Sequence, residues 1–432
     1  MKKFFIPLLM LVLCHTLPAQ NMVKIDTTMY STSLGKDVEL RIYLPYGYDT
    51  SGLHYPVIYY LHPWGENQAS VTIGVAGQCN QMIKNGVIEP VILVCANNYV
   101  LPFRGSCYAN SSLYGNYEDF MVDDFIDWMD ESFRTVAARS HRALLGLSMG
   151  ATGSLNLGLR YPAKYCALAS QSPTLNLTVF RDTMGYRVKG ENAGPPYSYT
   201  FTFNLSSYPF TCLGFLAAGA SCPNPNTPQT YINPAIVEFP FDENGDAIDS
   251  IWWKIRTQLD PVVSALNFSH PDTPAIFFSA GTNDGWLLYQ PTVAFCDTLD
   301  ALGFRYEFMS YVGGHVPPVN VDQRAFVFLD SILGSPVMGI EQASGYTKVT
   351  HLSCYPNPLQ DEGMVTFGLR GAAPVEISVS DLSGRKVAVV TRGDYPAGTH
   401  QVRWNAHGIA RGAYLLRLES GSQVMVRKIV RL

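Results

Sequence analysis

The chain is poor in charge: only 15% of its 432 residues are Asp, Glu, Lys or Arg, and 30 cations nearly balance 35 anions. That balance implies no polyanionic partner, so nucleic acid is not expected. Long apolar runs are also missing. Beyond residue 20 no stretch reaches the 18 or so uninterrupted apolar residues of a membrane helix, so no stable membrane span is expected. Nine cysteines are present, but none forms a C-x-x-C pair or a Cys/His spacing that would hold zinc, and no metal or organic cofactor is expected. What the chain does have is apolar mass. At 47% hydrophobic residues it excludes disorder, collagen and coiled coil, and its length allows two or three domains.

Charge is unevenly distributed. From Gly345 onward there are 11 Lys plus Arg against 6 Asp plus Glu, whereas residues 21–344 hold 17 against 29, so an acidic body precedes a basic tail. Lys2-Lys3, the apolar run from Phe4 to Leu13 and the small Ala19 form an export signal over residues 1–20. Export makes the remaining cysteines candidates for disulfides, with Cys212 and Cys222 the expected pair. Nearly continuous apolar runs at 38–45, 56–61, 90–96, 143–147, 165–169, 274–280 and 306–312 read as strands covered on both faces. A helical stripe of Met121, Phe125, Trp128 and Met129 runs within Tyr117 to Phe133. Alternation of strands and helices predicts an α/β domain with a mostly parallel sheet over residues 21–335. Residues 171–270, rich in Pro, Tyr, Asn and Ser, break the alternation and read as a cap-like insertion. Gly334-Ser335-Pro336 opens a linker over 336–351, and short alternating segments from 352 to 432 predict a small β-sandwich.

Gly146-Leu147-Ser148-Met149-Gly150 matches G-x-S-x-G between an apolar strand and a helix start, which places Ser148 on a sharp strand-to-helix turn. A serine hydroxyl needs a base, itself oriented by a carboxylate. Residues 21–344 hold five histidines. His54, His141 and His270 precede strands and fall at the opposite sheet edge, while His62 precedes Ser148 in the chain. Only His315, directly after the strand 306–312, fits both the edge and the order Ser, acid, His. Asp284, after the strand 274–280, is the expected acid. The two N–H donors for the oxyanion are expected from Met149 and, since Pro63 has none to give, from Trp64. His62 reads as a loop organiser. Asn97, Asn98 and Tyr117 are expected to line the substrate cleft. Asp242-Glu243-Asn244-Gly245-Asp246 has the composition of a calcium loop without EF-hand spacing and reads as a turn.

The strand-Leu61-His62-x-x-Gly65 loop, Gly115-Asn116-Tyr117-Glu118-Asp119-Phe120, G-L-S-M-G at 146–150 and Gly313-Gly314-His315 together resemble the esterase family of α/β-hydrolases that includes esterase D, feruloyl and acetyl-xylan esterases and the antigen 85 mycolyltransferases. The resemblance covers about residues 25 to 335. It implies an α/β-hydrolase fold with Ser148, Asp284 and His315 as triad and Trp64 and Met149 at the oxyanion. Pro63 departs from the family's usual Gly.

A second resemblance lies in the tail. Tyr355-Pro356-Asn357-Pro358, Asp381-Leu382-Ser383-Gly384-Arg385, Gly408 to Tyr414 and the terminal Val-Arg-Lys-Ile-Val-Arg-Leu resemble the C-terminal sorting domain of the type IX secretion system of Bacteroidota. It implies Sec export, engagement of the type IX machinery, and release or anchoring at the outer cell surface. The combined expectation is a secreted serine carboxylic ester hydrolase, acting on small-molecule or polysaccharide-linked esters such as feruloyl or acetyl groups. An acyltransferase of the same fold and a non-enzymatic surface binding protein are the alternatives.

Overall fold

A computed structural model describes residues 21–338 and 349–431, except 73, 200–203, 223–236, 356, 358, 370–371, 382–384, 397 and 421–422. The expected export signal lies outside the described residues, as does most of the expected linker. The chain falls into two compact units that part between Met338 and Gly339.

The larger unit is built on one eight-stranded sheet. Its strands are β1 (Val23–Ser31), β2 (Lys36–Leu44), β3 (Val57–Leu61), β4 (Ile92–Ala96), β5 (Arg142–Leu147), β6 (Ala167–Gln171), β7 (Ala275–Gly281) and β8 (Tyr306–Tyr311). They lie in the order β1-β2-β4-β3-β5-β6-β7-β8, and only β2 runs antiparallel to its neighbours. The expected strands are therefore present, and the sheet is mostly parallel as predicted. β1, whose VKIDTTMYS is half exposed, adds an edge strand that no apolar run announces.

Alternation explains why the central strands are apolar throughout. In β3, Val57, Tyr59 and Leu61 enter the core on one face while Ile58 and Tyr60 enter the core on the other. Successive side chains point to opposite faces, so a strand covered on both needs apolar residues at every position. Helices α1 (Val75–Lys84) and α9 (Val319–Asp330) cover one face through Cys79, Met82, Val321 and Phe326. The other is covered by α2, a continuous run of Tyr117–Asp119, a π-helical Phe120–Asp124 and Phe125–Ser132, and by α3 (Met149–Arg160).

The regular structure described between 172 and 270 is helical, joined by irregular loops. It supplies α4 (Leu177–Glu191), α5 (Pro209–Ala220), α6 (Asp249–Leu259) and α7 (Pro261–Leu266), and α8 (Tyr289–Leu302) follows β7. Asp260 ties both ends of this region together. Its fully buried carboxylate accepts the N–H of Val262 at 3.1 Å, capping α7, and those of Asn176 and Leu177 at 3.1 and 2.9 Å, at the start of α4. The expected Cys212–Cys222 disulfide is absent. Both are thiols, because Cys212 is buried within α5 and Cys222, just past its end, turns its Sγ to Ala218 O at 3.4 Å. Asp242 accepts the N–H groups of Asn244 and Asp246, each at 2.9 Å, so the acidic loop is a turn that satisfies its own carboxylate.

The smaller unit is all β. Strands β9 (Val349–Tyr355), β10 (Glu362–Leu369) and β13 (Gly398–Asn405) form one antiparallel sheet. β11 (Ala373–Ser380), β12 (Lys386–Tyr395), β14 (Gly412–Ser420) and β15 (Gln423–Arg431) form another, in the order β12-β11-β14-β15. They share a core of their own around Phe367, Ile377, Trp404 and Leu416. Among the described residues of the whole chain, no helix is long and apolar enough to cross a membrane.

Candidate active site

β5 ends at Leu147 and α3 begins at Met149, so Ser148 alone makes the turn, at φ 57° and ψ −117°. That is a costly conformation for a residue with a Cβ, and it persists because the surroundings impose it. Two glycines make those surroundings possible. A Cβ on Gly146 would stand 2.1 Å from Gly150 O, and one on Gly150 would stand 1.9 Å from Leu61 O. The first turn of α3 thus presses against β5 and β3 at a distance only glycine allows. The Ser148 N–H donates to Gln171 O at 2.9 Å, and Ser148 O accepts the N–H of Thr152 at 3.0 Å, which fixes the turn from both sides.

The loops after β7 and β8 are bonded to each other. Thr282 N–H donates to Tyr311 O and Asn283 N–H to Gly313 O, both at 2.9 Å. A Cβ on Gly281 would meet Gly314 O at 2.2 Å. This contact delivers Asp284 to His315. The Asp284 side chain is completely buried, and its Oδ2 lies 2.8 Å from His315 Nδ1. A carboxylate only accepts, so Nδ1 carries the proton and Nε2 is left as the basic nitrogen. The other oxygen, Oδ1, accepts the Trp286 N–H at 2.8 Å. His315 is also held through its backbone, its carbonyl accepting Ser172 Oγ at 2.7 Å, while the Tyr311 hydroxyl donates to Gly314 O at 3.1 Å.

Ser148, Met149, Trp64 and His315 all open on one cavity of about 270 Å³. Met149 is the first residue of α3, where an N–H has no partner inside the helix. The Trp64 indole is fixed by a 2.7 Å bond from Nε1 to Phe103 O. Gly105 lets the 101–105 segment pass between the two, since a Cβ there would fall 2.6 Å from Met149 Sδ and 3.1 Å from Trp64 Cδ1. His62 is completely buried nearby. Its Nε2 accepts the Asn98 N–H at 3.0 Å, so Nδ1 holds the proton and donates to Pro63 O at 2.9 Å. Burial pushes its pKa down to about 4, and the ring is a neutral brace for the Trp64 loop, as an organiser would be.

Three residues expected at the cleft are elsewhere. Asn98 is buried under His62, with its amide on Ala96 O at 3.3 Å, and Asn97 is engaged by Glu39 at 3.1 Å. Tyr117 is wholly buried, its hydroxyl accepting Lys36 Nζ at 2.7 Å. None of the three lines the cavity. Residues that the sequence did not single out take their place. Trp286 packs its ring 6.2 Å from Trp64, 5.4 Å from Phe210 and 6.3 Å from His315, joining the Asp284 loop to the insertion. Its only signal is its place two residues after Asp284. Cys107 also lines the cavity, and burial pushes its thiol up to about 12, so it contributes bulk and no nucleophile. Among the described residues no group of three or more His, Cys, Asp or Glu side chains could hold a metal ion.

Residues 31–315 match the family described as "Putative esterase". The chain belongs to this family. Residues 353–431 match a second, the "Secretion system C-terminal sorting domain", whose members are addressed to the cell surface or the extracellular space. An endo-1,4-beta-xylanase/feruloyl esterase of Xylanibacter ruminicola is 34% identical over 146 residues, which are 32% of this chain and 20% of that protein. An esterase of Mycobacterium tuberculosis is 31% identical over 153 residues, 34% of this chain and 31% of the other. The matches thus span about a fifth to a third of the length of these curated relatives. Among solved structures, an S-formylglutathione hydrolase of Staphylococcus aureus is 17% identical, with 72% of this chain and 99% of that chain covered at a TM-score of 0.47.

Proposed function

We propose that the chain is a secreted serine esterase whose triad is Ser148, Asp284 and His315. His315 Nε2 takes the hydroxyl proton as Ser148 Oγ attacks the ester carbonyl, and the N–H groups of Met149 and Trp64 stabilise the oxyanion. Asp284 holds the imidazolium that forms. The proton then passes to the departing alcohol oxygen, leaving an acyl-serine. Water, deprotonated by His315, releases the acid and restores Ser148. The observation that carries this reading is the 2.8 Å bond between the buried Asp284 and His315, on the same cavity as a serine held in a strained strand-to-helix turn. Membership in the esterase family supports it. The Xylanibacter relative, named for both a xylanase and a feruloyl esterase, makes feruloyl esters of plant polysaccharides the natural substrates to try first.

A fluorophosphonate probe should label the purified protein at Ser148, and Ser148→Ala should lose the label together with at least about 10³-fold in p-nitrophenyl butyrate hydrolysis. Full activity in that variant would defeat the assignment. Product analysis with added alcohols should give free acid, and transfer of most acyl groups to the alcohol would make the protein an acyltransferase.

A further inference from the structure

The cavity is more specific than the triad alone requires. From Ser148 it runs away from the sheet edge into the helices of the insertion, where its far wall is built by Phe180 and Met184 of α4, Leu213 and Leu216 of α5, and Trp252 and Ile255 of α6. Among the described residues no Lys or Arg lines it, and Glu66 is the only acidic one that does. An anion placed there would lose its hydration and find no cation in exchange. His315 stands at the other end with Val316, which is 70% exposed, so that end faces solvent. The alcohol must leave beside the histidine that protonates it, toward solvent, while the acyl group stays on Ser148 facing the helices. At about 30 Å³ per heavy atom, roughly a water's share of the liquid, the 270 Å³ would hold about nine such atoms.

Resting on the esterase reading above, we infer that this chamber is an acyl pocket for an uncharged, apolar acyl group of about six to ten carbons, and that acetyl and anionic acyl groups are poor donors. Each methylene transferred from water to the chamber wall should raise kcat/KM about fourfold until the chamber is full.

The test uses the full-length protein and p-nitrophenyl acetate, butyrate, hexanoate, octanoate and hemisuccinate. kcat/KM should climb at least 50-fold from acetate to hexanoate, and the hemisuccinate should fall below the butyrate, its neutral counterpart of equal chain length. Ala217→Phe, which adds bulk to the chamber wall, should cut the hexanoate-to-acetate ratio at least tenfold, and Leu216→Ala should move the optimum to longer chains. Fluorophosphonate labelling of each variant verifies that its site is intact. A flat or falling series in a protein that labels would overturn the chamber assignment and leave the esterase reading standing. Absence of both labelling and hydrolysis would overturn both.

Discussion

His62 shows how a titratable residue beside a candidate catalytic centre can serve structure alone. Its pKa of about 4 lies below the ordinary 6.5, so the unfolded chain takes up the proton first as pH falls. The brace therefore contributes fully above about pH 6.5 and loses its contribution as pH drops toward 4, a change of roughly 3 kcal/mol. Urea midpoints followed by tryptophan fluorescence should fall across that window, and the fall should be shallower in His62→Gln. Equal slopes would rule the brace out as their source. The same scale explains what could be read in advance. That Ser148, Asp284 and His315 would meet at one sheet edge was legible because chain order and position after a strand select them with no knowledge of side-chain direction. Asn97, Asn98 and Tyr117 were not. Whether a loop side chain faces a cleft depends on which distant groups claim its polar atoms, here Glu39, Ala96 O and Lys36.

At the scale of elements, glycines separate two kinds of position. Gly77, in the first turn of α1, is exposed and has no atom within 4 Å of where a Cβ would stand, so Gly77→Ala should stabilise by about 0.5 kcal/mol, visible as a higher melting temperature. Gly150→Ala, with its 1.9 Å conflict at Leu61 O, should abolish soluble expression or activity. An outcome in which both variants behave alike would contradict this division. The insertion's helices were illegible for a related reason. In α5, nine of the twelve residues of PFTCLGFLAAGA are buried, so no polar face marks a helical period. Asp260 gave no sign of its role either, because the two helix starts that it joins are more than eighty residues apart. Asp260→Ala should lower stability by about 2–4 kcal/mol, with Asp260→Asn, which keeps one acceptor oxygen, losing less. Thermal unfolding that ranks Asn below Ala would count against the cap.

On the scale of the molecule, every residue assigned a part in the chemistry precedes Met338, and the β unit after Gly339 closes its own core. A chain ending at Met338 should therefore keep kcat/KM within about twofold, and a tenfold loss would show that the tail takes part in the site. The division into an α/β body and a β tail was visible in the sequence through a switch from continuous apolar runs to short alternating ones. The path of the insertion over the sheet was not, since tertiary contacts set it.

The Asp260 latch also bears on how such an enzyme could change its diet. Because one carboxylate gathers the first and last helix starts of the segment between β6 and β7, the two ends of that segment are held together whatever lies between them. The proposed triad follows strands of the sheet, and the far wall of the chamber hangs from the segment. A different stretch of chain, spliced between Gln171 and Ala275 with an acidic residue kept at the latch, could give the same chemistry a new appetite.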